Sequence, residues 1–346
     1  MPEGDSLVRV ADRLRPVLTG QQLWRTDFRV PQLATADLSG TTVGAVWPRA
    51  KYLVIDTGER AVLSHLKMEG HWDVYSRTGP DGGPVRPRWR SPGWQARCVL
   101  ETAGDQVVGF QLGLLEVLPT ASVAERLSFL GPDLLDPAWE DPAEAARLLD
   151  ESVTRLQADP QRPIGLALLD QRLVSGIGNI YRCETLLLAG LHPHRPVGAV
   201  PDVPGLVLLA RDLMRVNTGP GPRGTTGVMP DGEAAYGVRV RPTPEVRRAG
   251  GRRDAGGARF TPGGVPVDGG PRGRAAAEAA SPGSTAGASG ASGAGLPGRR
   301  QPNYWVYGRE RKGCLRCGGP VVVEQFGDLA SGTPERVLFW CPHCQR

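Results

Sequence analysis

LLDQRLVSGIGNIYRCETLLLAGLHP, residues 168–193, reads as two helices joined by a glycine-rich turn. The first helix ends near Val174. Ser175-Gly176-Ile177-Gly178-Asn179 makes the turn, and NIYRCETLLLAG (179–190) carries the second helix. Two glycines let this backbone approach another backbone or a phosphate, and a helix N-terminus favours an anion. Asn179 is placed to cap that helix or to donate to a phosphate. A purely structural corner between helices is the plainer alternative on local pattern alone.

The neighbouring sequence extends the helical texture. ASVAERLSFLG (121–131), AEAARLLDESVTRLQ (143–157), PIGLALLDQ (163–171) and DVPGLVLLARDLMRVN (202–217) each read as a helix. Upstream the period changes to that of short strands. WRTDFRV, TTVGAVWPRA, KYLVID, AVLSHLKMEGHWDVY, ARCVLET, QVVGFQL and LLEVL lie between Leu23 and Leu118, separated by Gly, Pro and Asp turns. They predict a β-sandwich or barrel. A leading helix over 5–19 precedes them, with Asp5 or Ser6 as its cap and Leu7, Val10, Ala11, Leu14, Val17 and Leu18 on one face. The fold class is therefore α+β.

The chain has 346 residues, 47 glycines, 32 prolines and a net charge of +5. Residues 218–302 hold 21 of the glycines, 11 of the prolines and a local charge of +6, so the remaining 261 residues are nearly neutral at −1. So little apolar material cannot offset its ordering entropy, and this insert is expected to be disordered. Its charge hints weakly at a polyanionic partner. No run of about 18 apolar residues is present, which excludes a membrane-spanning helix. MPEGDSLVRV has no apolar core for a signal peptide, so an intracellular protein is expected.

Four of the six cysteines form Cys314-Leu-Arg-Cys317 and, 23 residues on, Cys341-Pro-His-Cys344. Paired CxxC knuckles present four thiolates to one ion, so one structural Zn²⁺ is expected. Such a small module has little core of its own, and metal binding should supply its folding energy. Two disulfides are the alternative in an oxidising compartment. Cys98 and Cys183 read as plain buried thiols.

Met1 precedes Pro2, and trimming of Met1 would expose a secondary amine. An α-amino group titrates near 8, so a useful fraction is nucleophilic at neutral pH. Attack on an aldehydic carbon would give a cationic iminium, an electron sink, with Glu3 beside it to move protons. The chain has only three lysines, Lys51, Lys67 and Lys312, against 38 arginines. Lys51 in WPRAKYLVID therefore points to a need for a compact ammonium in place of a guanidinium fork.

PEGD at the start, RAKYLV around Lys51, SHLKMEGHW (64–72), residues 168–193 and the terminal finger ending CPHCQ occur in one order. Together they resemble the formamidopyrimidine-DNA glycosylase/endonuclease VIII family, over residues 1–217 and 303–346. PEGD and KMEGHW resemble the endonuclease VIII-like branch more closely. The resemblance implies an N-terminal β-sandwich catalytic domain (1–119) and a helical helix–two-turn–helix DNA-binding domain (120–217). The insert (218–302) and a four-cysteine zinc-finger hairpin (303–346) follow.

The resemblance also implies roles. Pro2 resembles the nucleophile that attacks the sugar C1′, Glu3 the general acid/base, and Lys51 a strand-borne lysine near the damaged nucleotide. His65 and Asn179 resemble phosphate-binding residues. Met68 resembles the side chain that fills the space of a flipped base, and Arg336 the finger-tip arginine that clamps phosphates. The implied activity is a bifunctional DNA glycosylase/AP lyase of base-excision repair, acting on double-stranded DNA with oxidised bases, pyrimidines foremost, or abasic sites. A monomer in the cytoplasm, associated with the nucleoid, is implied. A non-catalytic module that recognises abasic or damaged DNA is the second reading, and repair-protein contacts through the insert are open. The finger tip reads Pro334-Glu335-Arg336-Val337, where the family usually has GR and a hydroxyl residue, and Asp5 is the nearest carboxylate after Glu3.

Overall fold

The computed structural model describes residues 2–79, 81–226, 303–328 and 333–346, with backbone alone at 229–230 and 238–239. Helix α1 (Gly4–Leu18) leads. Eight strands follow: β1 (Arg25–Phe28), β2 (Ala45–Arg49), β3 (Tyr52–Asp56), β4 (Arg60–His65), β5 (His71–Ser76), β6 (Ala96–Glu101), β7 (Asp105–Phe110) and β8 (Leu114–Pro119). They form two antiparallel four-stranded sheets, ordered β1-β6-β7-β5 and β2-β3-β4-β8. The apolar stripe of α1 (Leu7, Val10, Ala11, Leu14 and Leu18) joins one core with Leu53, Ile55, Trp72, Cys98 and Leu100 from the sheets. Period-2 patterning with Gly and Asp turns specified this sandwich.

The stretch 61–75 contains two strands. The chain turns at Leu66–Gly70, with the Gly70 N–H donating to Leu66 O at 2.9 Å. The α1 cap also differs from the sequence expectation. The helix starts at Gly4, and neither Asp5 nor Ser6 caps it. Both side chains instead receive the Arg223 guanidinium, which holds the Asp5 carboxylate through two bonds of 2.7 Å.

The helical part contains α2 (Val123–Arg126), α3 (Pro142–Gln157), α4 (Ile164–Ala167), α5 (Asn179–Ala189) and α6 (Val203–Arg215). Asp141 caps α3 by accepting from Ala143 and Glu144 N–H, and Asp202 caps α6. Two expected helices are much shorter than their patterns. α2 is a single turn, and α4 stops at Ala167, after which i→i+3 turns bend the chain at Leu169 and Asp170. The Asp170 carboxylate accepts the Arg172 N–H at 3.0 Å and fixes that bend. Leu168, Val174, Ile177, Tyr181 and Leu186 share one core with α3 and α6.

A two-residue ladder pairs β9 (Met229–Pro230) with β10 (Val238–Arg239). Strands β11 (Val322–Asp328) and β12 (Thr333–Trp340) form the C-terminal hairpin. Most of the expected insert lies outside the described residues. Its first part does not: residues 218–226 are described and packed, so folded chain continues beyond the boundary expected at 217. Asn217 holds Gly224 through both ends of its amide, and the Thr225 N–H donates to Asn303 O at 2.8 Å. This junction packs against the start of the finger segment, where the Trp305 indole N–H donates to Thr225 O at 3.1 Å.

Candidate active site

A cleft of about 300 Å³ opens where the sandwich, the helical part and the finger hairpin meet. Pro2, Lys51, His65, Met68, Asn179 and Arg336 all line it. Residues separated by more than 300 positions thus converge, and Glu3 lies beneath them, fully buried.

The turn after the first helical segment explains this convergence. Gly176 O accepts the Gly4 N–H at 3.0 Å. At Gly178, a Cβ would lie 2.4 Å from the Glu3 carboxyl carbon, so only glycine leaves room for that side chain. Glu3 occupies the N-terminus of α5, accepting N–H groups of Gly178 (2.9 Å), Ile180 (2.8 Å) and Tyr181 (3.3 Å). The expected anion site at this helix end is therefore filled by the chain's own carboxylate. Burial raises the Glu3 carboxyl above its usual range, against Lys51, Arg223 and the Ile180 N–H, which favour the anion. A carboxyl raised in this way holds its proton to higher pH than an exposed one, which suits proton transfer.

Lys51 sits in the turn between β2 and β3, not within a strand. Ala50 before it has φ 53°, a conformation costly for a side-chain-bearing residue. The buried Asp133 carboxylate supports that turn by accepting the Ala50 N–H at 2.6 Å. The Lys51 ammonium then donates to Ile177 O, beside the glycine turn. Burial lowers its pKa to about 8, opposed by Glu3 and reinforced by Arg336.

His65 ends β4. Burial, with Lys67 and Lys51 nearby, pushes its pKa down to about 4, so the ring is neutral at pH 7. Its Nδ1 accepts the Lys67 N–H at 2.9 Å, which leaves the proton on Nε2, a donor suited to a phosphate oxygen. Met68 is 56% exposed, unlike a core methionine. Asn179 does not cap α5: its Nδ2 donates to Val337 O at 2.7 Å and its Oδ1 accepts from Arg182 at 2.5 Å. Arg336 lies on β12, opposite Phe326, and is exposed. Among the described residues no ion pair joins it to Glu335, so the acidic neighbour leaves its charge available.

Sequence reasoning missed three groups. Gln171 locks the turn by donating to Ile177 O and accepting the Gly176 N–H. Arg223 clasps Asp5 two residues from Glu3; burial works against its charge, but Asp5 raises its pKa. Glu184, fully buried, accepts N–H groups of Trp305, Val306 and Tyr307 at 2.8–2.9 Å, and the Thr225 hydroxyl. Glu184 is one of several polar residues on α5, with Asn179, Arg182 and Thr185, and nothing in the sequence singled it out. The four finger cysteines behave as expected from their spacing. Their Sγ atoms all lie within 4.8 Å of one another, with 3.5 Å between Cys317 and Cys341 and 4.0 Å between Cys314 and Cys344. A tetrahedral ion with bonds of about 2.3 Å requires sulfurs about 3.8 Å apart.

Comparison with known proteins agrees with this geometry. The formamidopyrimidine-DNA glycosylase N-terminal domain matches residues 1–111, and the H2TH domain of the same enzymes matches 138–207. The "DNA-(apurinic or apyrimidinic site) lyase Nei2" of Mycolicibacterium smegmatis is 33% identical over all of this chain and 99% of its own. The "Probable endonuclease 8 2" of Streptomyces coelicolor is 34% identical, covering all of this chain and 94% of its own. Among solved structures, Lactococcus lactis Fpg in complex with an oxidised-pyrimidine-containing DNA superposes with a TM-score of 0.61. That pair is 19% identical with full coverage of both chains, which establishes a shared fold. Sequence, domain order and the converging cleft lead to one assignment: the chain belongs to the formamidopyrimidine-DNA glycosylase/endonuclease VIII family of DNA glycosylases and AP lyases, in its endonuclease VIII-like branch.

Proposed function

We propose that this enzyme removes oxidised bases, pyrimidines foremost, from duplex DNA and cleaves the strand through a Pro2 iminium. The convergence of Pro2, Glu3 and Lys51 at one cleft carries this reading. A base inside the stack must first be flipped out, at a few kcal/mol for a damaged pair. Exposed Met68 is positioned to take the vacated space. His65, Asn179 and Arg336 hold the backbone, which positions the strand without reading its sequence.

After Met1 is removed, the neutral Pro2 nitrogen attacks C1′. The bond from C1′ to the base breaks, and the base leaves with its bonding electrons and a proton. Glu3 protonates the ring oxygen as the sugar opens, giving the iminium between Pro2 and C1′. Loss of a C2′ proton expels the 3′ phosphate, and a second elimination expels the 5′ phosphate. Water then hydrolyses the adduct and frees Pro2. Cys314, Cys317, Cys341 and Cys344 would hold one structural zinc, which would stabilise the hairpin bearing Arg336 and take no part in the reaction.

The test is incision of duplexes carrying one oxidised pyrimidine or one oxidised purine. A one-nucleotide gap with phosphate at both ends, formed faster with the pyrimidine, supports the proposal. Tight binding to both duplexes and to abasic DNA without incision contradicts it and favours a recognition module.

A further inference from the structure

The connection between β5 and β6 carries a surface that the cleft does not use. PVRPRWRSPGW, residues 84–94, contains three arginines at alternate positions and two tryptophans. Exposure alternates with them: Arg86, Arg88 and Arg90 are exposed, while Pro87 and Trp89 are half-buried. Trp89 anchors the segment. Its ring meets Phe110 edge-on at 5.6 Å, and its indole N–H donates to Gln106 at 2.5 Å. Pro87 biases Arg86 toward extended backbone. Alternate residues of an extended chain are about 6.6 Å apart, close to two axial steps of one DNA strand at about 3.4 Å each.

The guanidinium groups of this segment are free of carboxylate partners among the described residues, although Arg90 lies over the Tyr75 ring at 6.0 Å. Elsewhere in the sandwich, Arg15, Arg25, Arg29, Arg49, Arg77 and Arg126 pair with carboxylates. Among the described residues, Arg86, Arg88, Arg90 and Arg97 have no such partner. Trp94 is 72% exposed, and Arg97 donates to its carbonyl at 2.9 Å. The end of the segment is tied to the turn that bears Met68, because Gln111, bonded to Gln95, also donates its side-chain amide to Glu69 at 3.4 Å. Ser91 Oγ lies 3.1 Å from Nε2 of His71, three residues beyond Met68, and Gln95 O accepts the Gln111 N–H at 2.8 Å. Residues 1–154 carry a net charge of −5, so this local excess of positive charge stands out.

We propose that Arg86, Arg88, Arg90 and Arg97, with Trp94, form a second DNA-contact surface that grips the backbone of the duplex arm flanking the lesion. This rests on the reading of the cleft as a DNA site. The guanidinium groups meet phosphates along one strand, and the flat Trp94 ring packs on the sugar edge between them.

The test uses the full-length protein and duplexes with a non-cleavable abasic analogue, about one and about two helical turns long. Wild-type protein binds the longer duplex more tightly and with steeper salt dependence. In R86Q/R88Q/R90Q the slope of log Kd against log salt on the longer duplex drops by roughly 0.9 per lost phosphate contact, close to 3 in all. Trp94→Ala weakens binding to the longer duplex several-fold. Unaltered melting temperatures show that both variants fold. A wild-type slope in the triple variant, or an equal loss on both duplexes, overturns the inference. Wild-type protein that binds neither duplex overturns the reading of the cleft instead.

Discussion

Glu3 and Glu184 make the same local structure at opposite ends of their usefulness to chemistry. Each is fully buried and each accepts three backbone N–H groups. Glu3 ties the N-terminus to the start of α5, with the Lys51 charge nearby and the cleft above. Glu184 ties α5 to the finger and also accepts the Thr225 hydroxyl. Burial raises both carboxyls above their usual range. The difference lies in what each can reach: Glu3 lies beside Lys51 and beneath the cleft that Pro2 lines, and Glu184 does not line it.

Substitution should separate the two. Glu3→Gln is expected to slow incision by about 10²–10⁴-fold, the usual span for losing a general acid or base, with the melting temperature less affected. Glu184→Ala is expected to destabilise the fold by about 3 kcal/mol or more, because several buried donors lose their acceptor, measured by denaturant unfolding. The reverse pattern would break the comparison.

Arg223 tests how far the Glu3 region depends on its support. Arg223→Met is expected to lower kcat about 10- to 100-fold, by letting the N-terminal segment drift, with KM little changed. Arg223→Lys should rescue poorly, since Asp5 receives two bonds from a guanidinium fork. An equal rise in KM would make Arg223 a DNA contact instead.

Smaller effects follow from titration and from the insert. Lys51, with its pKa lowered to about 8, is mostly charged at pH 7 and loses its proton above pH 8. The Pro2 amine must be neutral to attack, so the rate rises toward pH 8 and falls beyond it. Lys51→Arg keeps its charge and should remove the falling limb from the pH–rate profile. Deleting residues 241–300 is expected to flatten the salt dependence of binding and leave incision intact. Deleting 218–302 should also cost activity, because it removes Arg223 and Thr225.

The readability of these regions differed for physical reasons. Strand alternation, the α1 stripe and the CxxC pairs repeat at short range, so the sandwich, the helices and the cysteine cluster were legible. Lys51 stood out by its rarity and Pro2 by its position. Arg223 to Asp5 spans 218 positions, and Glu3 to Gly178 spans 175. Such pairs leave no period in the sequence, and Arg223 was hidden in a stretch whose glycine and proline content suggested disorder. The glycine turn was legible as a place of close approach, and the Gly4 backbone does approach it; the Glu3 carboxylate at the same turn left no signal in the sequence. α4 failed as a long helix because Asp170 supplies a competing local bond.

The account depends on a free Pro2 amine in the cleft. Borohydride reduction during reaction with abasic-site DNA, followed by peptide mapping of the adduct, tests this directly. The predicted result is a covalent DNA adduct on Pro2 of protein lacking Met1, absent in Pro2→Gly. An adduct on Lys51 or another amine, or strand cleavage by protein that retains Met1, would contradict the account.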